Sequence, residues 1–212
     1  MANAVFDPSD PTSPLSVSPH ETALLLMDYQ NMLRGRVGEG AWASVTNIAS
    51  CLRDWALETN ITVFHCLVDT SPGTKPPGYS RTATRWKAYE AAFAATPELG
   101  RESELLAVRG PSKVEATFVR IPGYISALES HGLAEVLRAT GIRSLILGGI
   151  STSGCVLSTA RAATDRGFIV TVAEDACFDP VPGLHGMLAT HVLPTSAHVA
   201  TSREIRDAWR VL

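Results

Sequence analysis

The amino-acid sequence predicts a single α/β domain built on a parallel sheet, and three stretches carry that prediction. Leu145-Ile146-Leu147 is a short apolar run ending in Gly148-Gly149, the pattern of a strand buried on both faces. The segment after it sets Val156, Ala160 and Ala163 at helical spacing, with Ser153 as a candidate cap and Gly167 as the stop. TALLLMDY (22–29), a helical pattern over 45–59 and ITVFHCLV (61–68) follow one another as strand, helix and strand. That succession is a crossover unit with parallel strands.

The remaining elements follow in chain order. Residues 1–19 carry four prolines, several serines and few large apolar groups, which predicts an irregular arm, loose or laid across a neighbouring subunit. In 22–29 the apolar run ends in Asp28, at the carboxyl end of a first buried strand. Between 45 and 59, Ile48, Leu52, Trp55 and Ala56 recur at helical spacing, and Asn60 stops the helix. Residues 69–83 are crowded with Pro, Gly and Ser and predict a long loop of the kind that closes over sites. Trp86 to Ala95 predicts a short helix with Trp86, Tyr89 and Phe93 along one side. Val108 to Phe118 reads as a loop with a short strand around Lys113, and Leu133 to Thr140 as a helix closed by Gly141. Phe168 to Ala173 is a further strand ending in Glu174-Asp175. Met187 to His191 reads as helical, and a last strand lies near 197–200. Thr201-x-x-Glu204 is a capping box that opens the final helix. No repeat and no linker divides the chain, so 20–212 reads as one domain behind the arm at 1–19.

Composition narrows the function. The formal net charge is −3, and the 18 Lys and Arg are scattered, which gives neither a nucleic-acid footprint nor a polybasic membrane patch. The first residues lack a basic and then apolar leader, and no apolar run approaches the roughly 20 residues of a membrane span. The expectation is a cytoplasmic protein without nucleic-acid or membrane partners. Cys51, Cys66, Cys155 and Cys177 lie far apart with no CxxC pair, so neither disulfides nor a zinc site is expected. Cys51, Cys66 and Cys177 read as small buried hydrophobes.

Cys155 is different. It stands at the first turn of a helix just beyond the carboxyl end of a central strand, where open α/β sheets bind ligands. Orphan N–H groups and the helix dipole favour a thiolate there. Asp28 occupies the corresponding end of the first strand, and Lys113 supplies a cation in a loop. A thiolate to attack a carbonyl, a cation to hold it and a carboxylate to move protons are the requirements of amide hydrolysis by cysteine. Spacing alone leaves each of the three residues with an ordinary structural reading as well.

The order and context of the motifs go further. LLLMDYQN with Asp28 and Gln30, KVEATF with Lys113, GGISTSGCV with Cys155, and the stretch TARAATDRGFIVTVAEDAC together resemble the isochorismatase-like cysteine hydrolases. These include nicotinamidases and the N-carbamoylsarcosine and ureidoacrylate amidohydrolases. The resemblance runs from Leu24 to the final helix. It implies a three-layer αβα fold with a mostly parallel six-stranded sheet, and an Asp–Lys–Cys triad falling on Asp28, Lys113 and Cys155. It also implies an oxyanion hole from the N–H groups of Ser151 and Cys155, with a cis peptide between Ile150 and Ser151.

The expected chemistry is cleavage of a C–N bond in a small amide or carbamoyl substrate through a thioester on Cys155. By position relative to the motifs, Gln30, Leu33, Trp86 and Phe118 are candidate substrate contacts. No cofactor is expected. Nicotinamidases of this superfamily carry an Asp-x-His…His metal site after the second strand, whereas the chain reads HCLVDTSPGTKPPGYS there. His65 falls inside the strand pattern, and no other histidine shows ligand spacing. No metal is therefore expected, which lowers the case for a nicotinamidase. The vinyl-ether-cleaving isochorismatases lack the cysteine, so Cys155 favours amide chemistry over that alternative. Members of the superfamily are commonly dimers or tetramers, so a homo-oligomer is expected, with the loop at 69–83 or the N-terminal arm closing the site of the same or a neighbouring subunit.

Overall fold

The β-rich runs separate into six strands of one sheet because each is short, apolar and closed by a turn. In the computed structural model, which describes residues 6–108, 110, 112 and 114–210, the strands are β1 (Thr22–Met27), β2 (Thr62–Val68), β3 (Glu115–Arg120), β4 (Ser144–Ile150), β5 (Ile169–Phe178) and β6 (His198–Ala200). The sheet order is β3-β2-β1-β4-β5-β6 and every neighbouring pair is parallel. The chain thus winds outward from β1 through β2 to β3, then returns to lay β4 on the other side of β1. That reversal between β1 and β4 is the topological switch point, where an open parallel sheet leaves a crevice at its carboxyl ends.

The helices are α1 (Arg34–Val37), α2 (Glu39–Glu58), α3 (Arg81–Ala95), α4 (Leu133–Ala139), α5 (Leu157–Asp165), α6 (Leu184–Met187) and α7 (Ser202–Trp209). Alternation along β1 sorts them into layers. Leu24 and Leu26 pack into a core with Trp42, Val45, Leu52 and Trp55 of α2 and Ile205 and Trp209 of α7. Ala23, Leu25 and Met27 face a second core with Leu133 and Leu137 of α4 and Ala160 and Ala163 of α5. All six residues of β1 are buried, as a strand covered on both faces requires. The three-layer αβα architecture with a six-stranded parallel sheet is therefore the fold of this chain.

Several elements run further than their patterns. α2 begins at Glu39, before the first strongly periodic residue, and α3 begins at Arg81, where the Ser80 hydroxyl accepts the Thr82 N–H at 3.0 Å. β5 continues past Ala173 because its register against β4 shifts between Leu147 and Gly149, so that Gly149 pairs with Cys177. The slack places Asp175 at the start of α7, where its carboxylate takes the Ser202 N–H at 2.6 Å. The capping box is present, with the Thr201 N–H donated to Glu204 at 2.8 Å. The helix expected over 187–191 is instead the α6 turn followed by a wider π turn over Leu188–Val192.

The arm also departs from expectation over its described part, residues 6–19, which fold back on their own chain. Phe6 is buried, edge-on to Trp209 and His198 at 6.1 and 5.6 Å between ring centroids, and His198 Nε2 lies 2.9 Å from the Thr12 carbonyl. Asp7 and Asp10 each take a backbone N–H two residues on at 2.8 Å, so Asx turns shape a segment that lacks periodic structure. Cys51 is exposed on α2 rather than buried, while Cys66 and Cys177 are in the core. Among the described residues, no helix is long and apolar enough to cross a membrane.

Candidate active site

Asp28 leaves β1 with a left-handed φ of 59°, which ends the strand and turns the carboxylate into the switch-point crevice. Its partner there is Arg120, the last residue of β3. The guanidinium grips the carboxylate in fork geometry, Nη1 to Oδ1 at 2.9 Å and Nη2 to Oδ2 at 2.5 Å, with both side chains almost wholly buried. Arg120 also donates its Nε–H to the Tyr124 carbonyl at 2.9 Å, which fixes the fork's plane. Burial lowers the pKa of this guanidinium, but the Asp28 charge and hydrogen bonds outweigh that, and it stands above its ordinary value.

Cys155 lies across the crevice, 3% exposed. It follows β4 in a wide π turn over Thr152–Val156 that precedes α5, with Gly154 at φ −99° and ψ −106°. The peptide between Ile150 and Ser151 is cis. Ser153 does not cap the helix with its hydroxyl. Its N–H is instead taken by the buried Asp179 at 2.8 Å, and the N–H groups of Gly154 and Val156 go to the Ser151 carbonyl. The two glycines of β4 are there for room. A Cβ on Gly149 would sit 2.8 Å from the Met27 carbonyl oxygen and 3.4 Å from Cys155 Sγ, so only glycine lets the strand pass behind the thiol.

The thiol's electrostatics run against the expected standing thiolate. Burial and the Asp28 charge push its pKa well above the usual thiol range, and Arg120 opposes them only in part. The guanidinium's charge is largely spent on the carboxylate it grips, so among the described residues burial and the Asp28 charge favour the neutral thiol over the thiolate.

Asp28, Arg120, Ile150, Ser151, Gly154 and Cys155 line one cavity of about 290 Å³, whose mouth is formed by Leu33, Arg36, Thr82, Tyr124, Ile125 and Pro180. Of the residues expected here, Asp28, Ser151, Cys155 and Leu33 meet. Trp86 is a neighbour: it lines the adjoining hollow and donates its Nε1–H to the Thr74 carbonyl at 3.0 Å, which ties α3 to the loop at 69–80. Two do not reach the cavity. Gln30 is buried and uses its amide on backbone alone, donating to the carbonyls of Val68 (3.0 Å) and Gly100 (2.7 Å) and accepting the Val68 N–H (2.9 Å). It stitches the loop after β1 to its neighbours and is not a substrate contact. Phe118 points into the core beneath the sheet, edge-on to Phe64 at 5.3 Å. Lys113 lies outside the described residues. Among the described residues, the cation set against Asp28 is Arg120. The signal for it was available, since Arg120 closes a β-rich run just before Pro122-Gly123, the position that singled out Asp28 on its own strand.

His65 is buried between two carboxylates. Nδ1 lies 2.8 Å from Glu102 and Nε2 lies 3.1 Å from Glu115, with Arg53 beyond Glu115 at 3.9 Å. Among the described residues, no group of three His, Cys, Asp or Glu side chains is disposed to hold a metal ion. Burial alone lowers the His65 pKa, but the two carboxylates outweigh it and raise it above 6.5. A raised folded-state pKa makes the charged imidazole a stabilising element below the unfolded value, and that stability is lost as pH rises through the folded one. The urea midpoint is therefore expected to fall between about pH 6 and about pH 8, and His65→Gln to flatten that slope. The scan stops there because Cys66 and Cys177, both pushed up to about 12 by burial, begin to ionise in the unfolded chain at higher pH. An unchanged slope in His65→Gln would assign the pH dependence elsewhere.

Comparison with known proteins places this geometry. The Isochorismatase domain family matches residues 22–204. The chain is 30% identical over 192 residues to the ureidoacrylate amidohydrolase RutB of Caulobacter vibrioides (strain ATCC 19089 / CIP 103742 / CB 15), covering 80% of this chain and 82% of that protein. A shorter stretch of 72 residues is 42% identical to the uncharacterized isochorismatase family protein YecD of Escherichia coli O157:H7, over 34% of this chain and 38% of that one. The crystal structure of N-carbamoylsarcosine amidase from Thermoplasma acidophilum superposes with a TM-score of 0.67 at 20% identity, over 85% of this chain and 96% of that one. With the family's domain spanning nearly the whole sheet and its crevice, this chain belongs to the isochorismatase family of hydrolases.

Proposed function

We propose that the protein hydrolyses a C–N bond of a small amide or carbamoyl compound, with Cys155 as nucleophile, Asp28 as proton carrier, Lys113 as the third member of the triad and Arg120 as the guanidinium that grips Asp28. The observation that carries this reading is the convergence of a buried thiol, a carboxylate and a guanidinium on one cavity at the switch point. The amidohydrolase and amidase among its relatives support the choice of a C–N bond.

Since burial favours the neutral thiol of Cys155, proton removal accompanies attack. Asp28 takes the thiol proton as sulfur bonds to the carbonyl carbon, and charge moves to the carbonyl oxygen. The N–H groups of Ser151 and Cys155 donate to that oxyanion, a contribution of about 3 kcal/mol for each such donor. Collapse breaks the C–N bond, and Asp28 returns its proton to the leaving nitrogen. Water then gives a proton to Asp28 and attacks the thioester. Breaking the C–S bond frees the acid, and the departing sulfur takes the proton back from Asp28, which restores thiol and carboxylate. Arg120 keeps the carboxylate oriented through both halves, and its charge counters negative charge on sulfur.

The test is ammonia release from a panel of primary amides, carbamoyl amino acids and ureido acids, with isochorismate included as a vinyl-ether control. Turnover of at least one C–N substrate supports the reading. Cleavage of isochorismate alone would replace it.

A further inference from the structure

The cavity at Cys155 does not end at its mouth. It shares Met32, Leu33, Arg36, Thr82 and Gly123 with a second hollow of about 210 Å³, which extends beside α3 to Arg85, Trp86 and Tyr89. The two form one cleft with a reacting end and a distal end. The charges along it are unequal. Asp28 is the single carboxylate among the described lining residues, and Arg120 already neutralises it. Arg36 stands where the two compartments join and Arg85 at the far end. Both side chains are exposed, and neither makes an ion pair among the described residues, whereas nearby Arg34 is taken by Glu39 at 2.6 Å. The distal wall is aromatic. Trp86 and Tyr89 lie 6.3 Å apart at 45°, and Trp86 is held by its bond to the Thr74 carbonyl.

We infer that the substrate is an extended amide acid: a scissile amide at Cys155, an aryl-sized apolar body against Trp86 and Tyr89, and a carboxylate bound by Arg36 and Arg85. This deepens the proposed amide hydrolysis and rests on it for the reacting end. Two uncompensated guanidiniums in a cleft with low-dielectric walls attract an anion, and the planar fork matches a carboxylate. The second compartment gives a ring-sized group a place that a substrate confined to the first would leave to water.

The experiment uses para-carboxyphenylacetamide and its methyl ester, which differ in one charge at the distal end. Each is titrated calorimetrically into Cys155→Ala protein, which holds the amide without turning it over. The acid is expected to bind at least about ten-fold more tightly than the ester at low salt, a difference of about 1.4 kcal/mol. That preference should shrink with added salt and vanish in Cys155→Ala protein that also carries Arg36→Gln and Arg85→Gln. Equal binding of acid and ester, binding of neither, or a preference that survives both arginine substitutions would overturn the inference. Turnover separates the two levels. If the unsubstituted enzyme binds the acid selectively but releases no ammonia from it or from the wider panel, the hydrolytic reading fails and the anion site stands.

Discussion

Cys155→Ala is expected to abolish turnover of every substrate the protein cleaves, by about ten-thousand-fold or more, while the chain stays folded. The magnitude follows from covalent catalysis, because removing the nucleophile leaves only binding and the oxyanion donors to act on the carbonyl. The fold should survive because the lost atom is one sulfur on the rim of a cavity. The thiol's contact there is a weak 3.7 Å approach to the Ser151 carbonyl, and the π turn that holds it is pinned by Asp179 and by the Ser151 carbonyl. A shift in the urea midpoint corresponding to no more than about 1 kcal/mol is expected. A folded Cys155→Ala protein with undiminished ammonia release would remove the cysteine from the mechanism.

Arg120→Leu should do the opposite to the balance of effects, costing stability as well as activity. The pair with Asp28 is bidentate and buried, so deleting the guanidinium leaves a carboxylate in the core with its counter-charge gone. Breaking such a pair from one side costs about 3–5 kcal/mol, whereas replacing both members by neutral groups is far milder. The expected pattern in urea unfolding is a large loss for Arg120→Leu and a smaller one for the double variant Asp28→Asn/Arg120→Leu. None of these proteins should show activity. Arg120→Lys keeps the charge but not the fork, and should fall between wild type and Arg120→Leu in both readouts. Additive losses in the double variant would mean that the two side chains are independent, and the role given to Arg120 would fall.

The two variants also mark how far the sequence could be read. Cys155 and Asp28 were found by a local rule, that residues just past the carboxyl end of a buried parallel strand face the ligand crevice. The rule holds for both because β1 and β4 are central, apolar throughout and sharply ended. Arg120 obeys the same rule at the carboxyl end of β3. β3 is an edge strand with a half-exposed, mixed pattern, which hides its carboxyl end, and with it Arg120, from sequence periodicity. Gln30 and Phe118 misled for another reason. Position beside a motif says nothing about direction, and a one-residue step along a strand or turn sends a side chain to the other face.

What the amino-acid sequence determined by itself was an α/β fold on a parallel sheet, its first strand-helix-strand crossover and the two strand ends that carry Asp28 and Cys155. Hydrophobic periodicity encodes these locally, and burial on both faces enforces them. What only the tertiary structure decided was the pairing of Asp28 with Arg120, the burial of the thiol, and how far the cleft extends. Each depends on groups far apart in the chain. Asp28 and Arg120 are separated by 92 positions, and the thiol's pKa is set by the burial and charges that packing brings around it. Arg36 and Arg85 share a cleft only because α1 and α3 come together beside the mouth of the switch point.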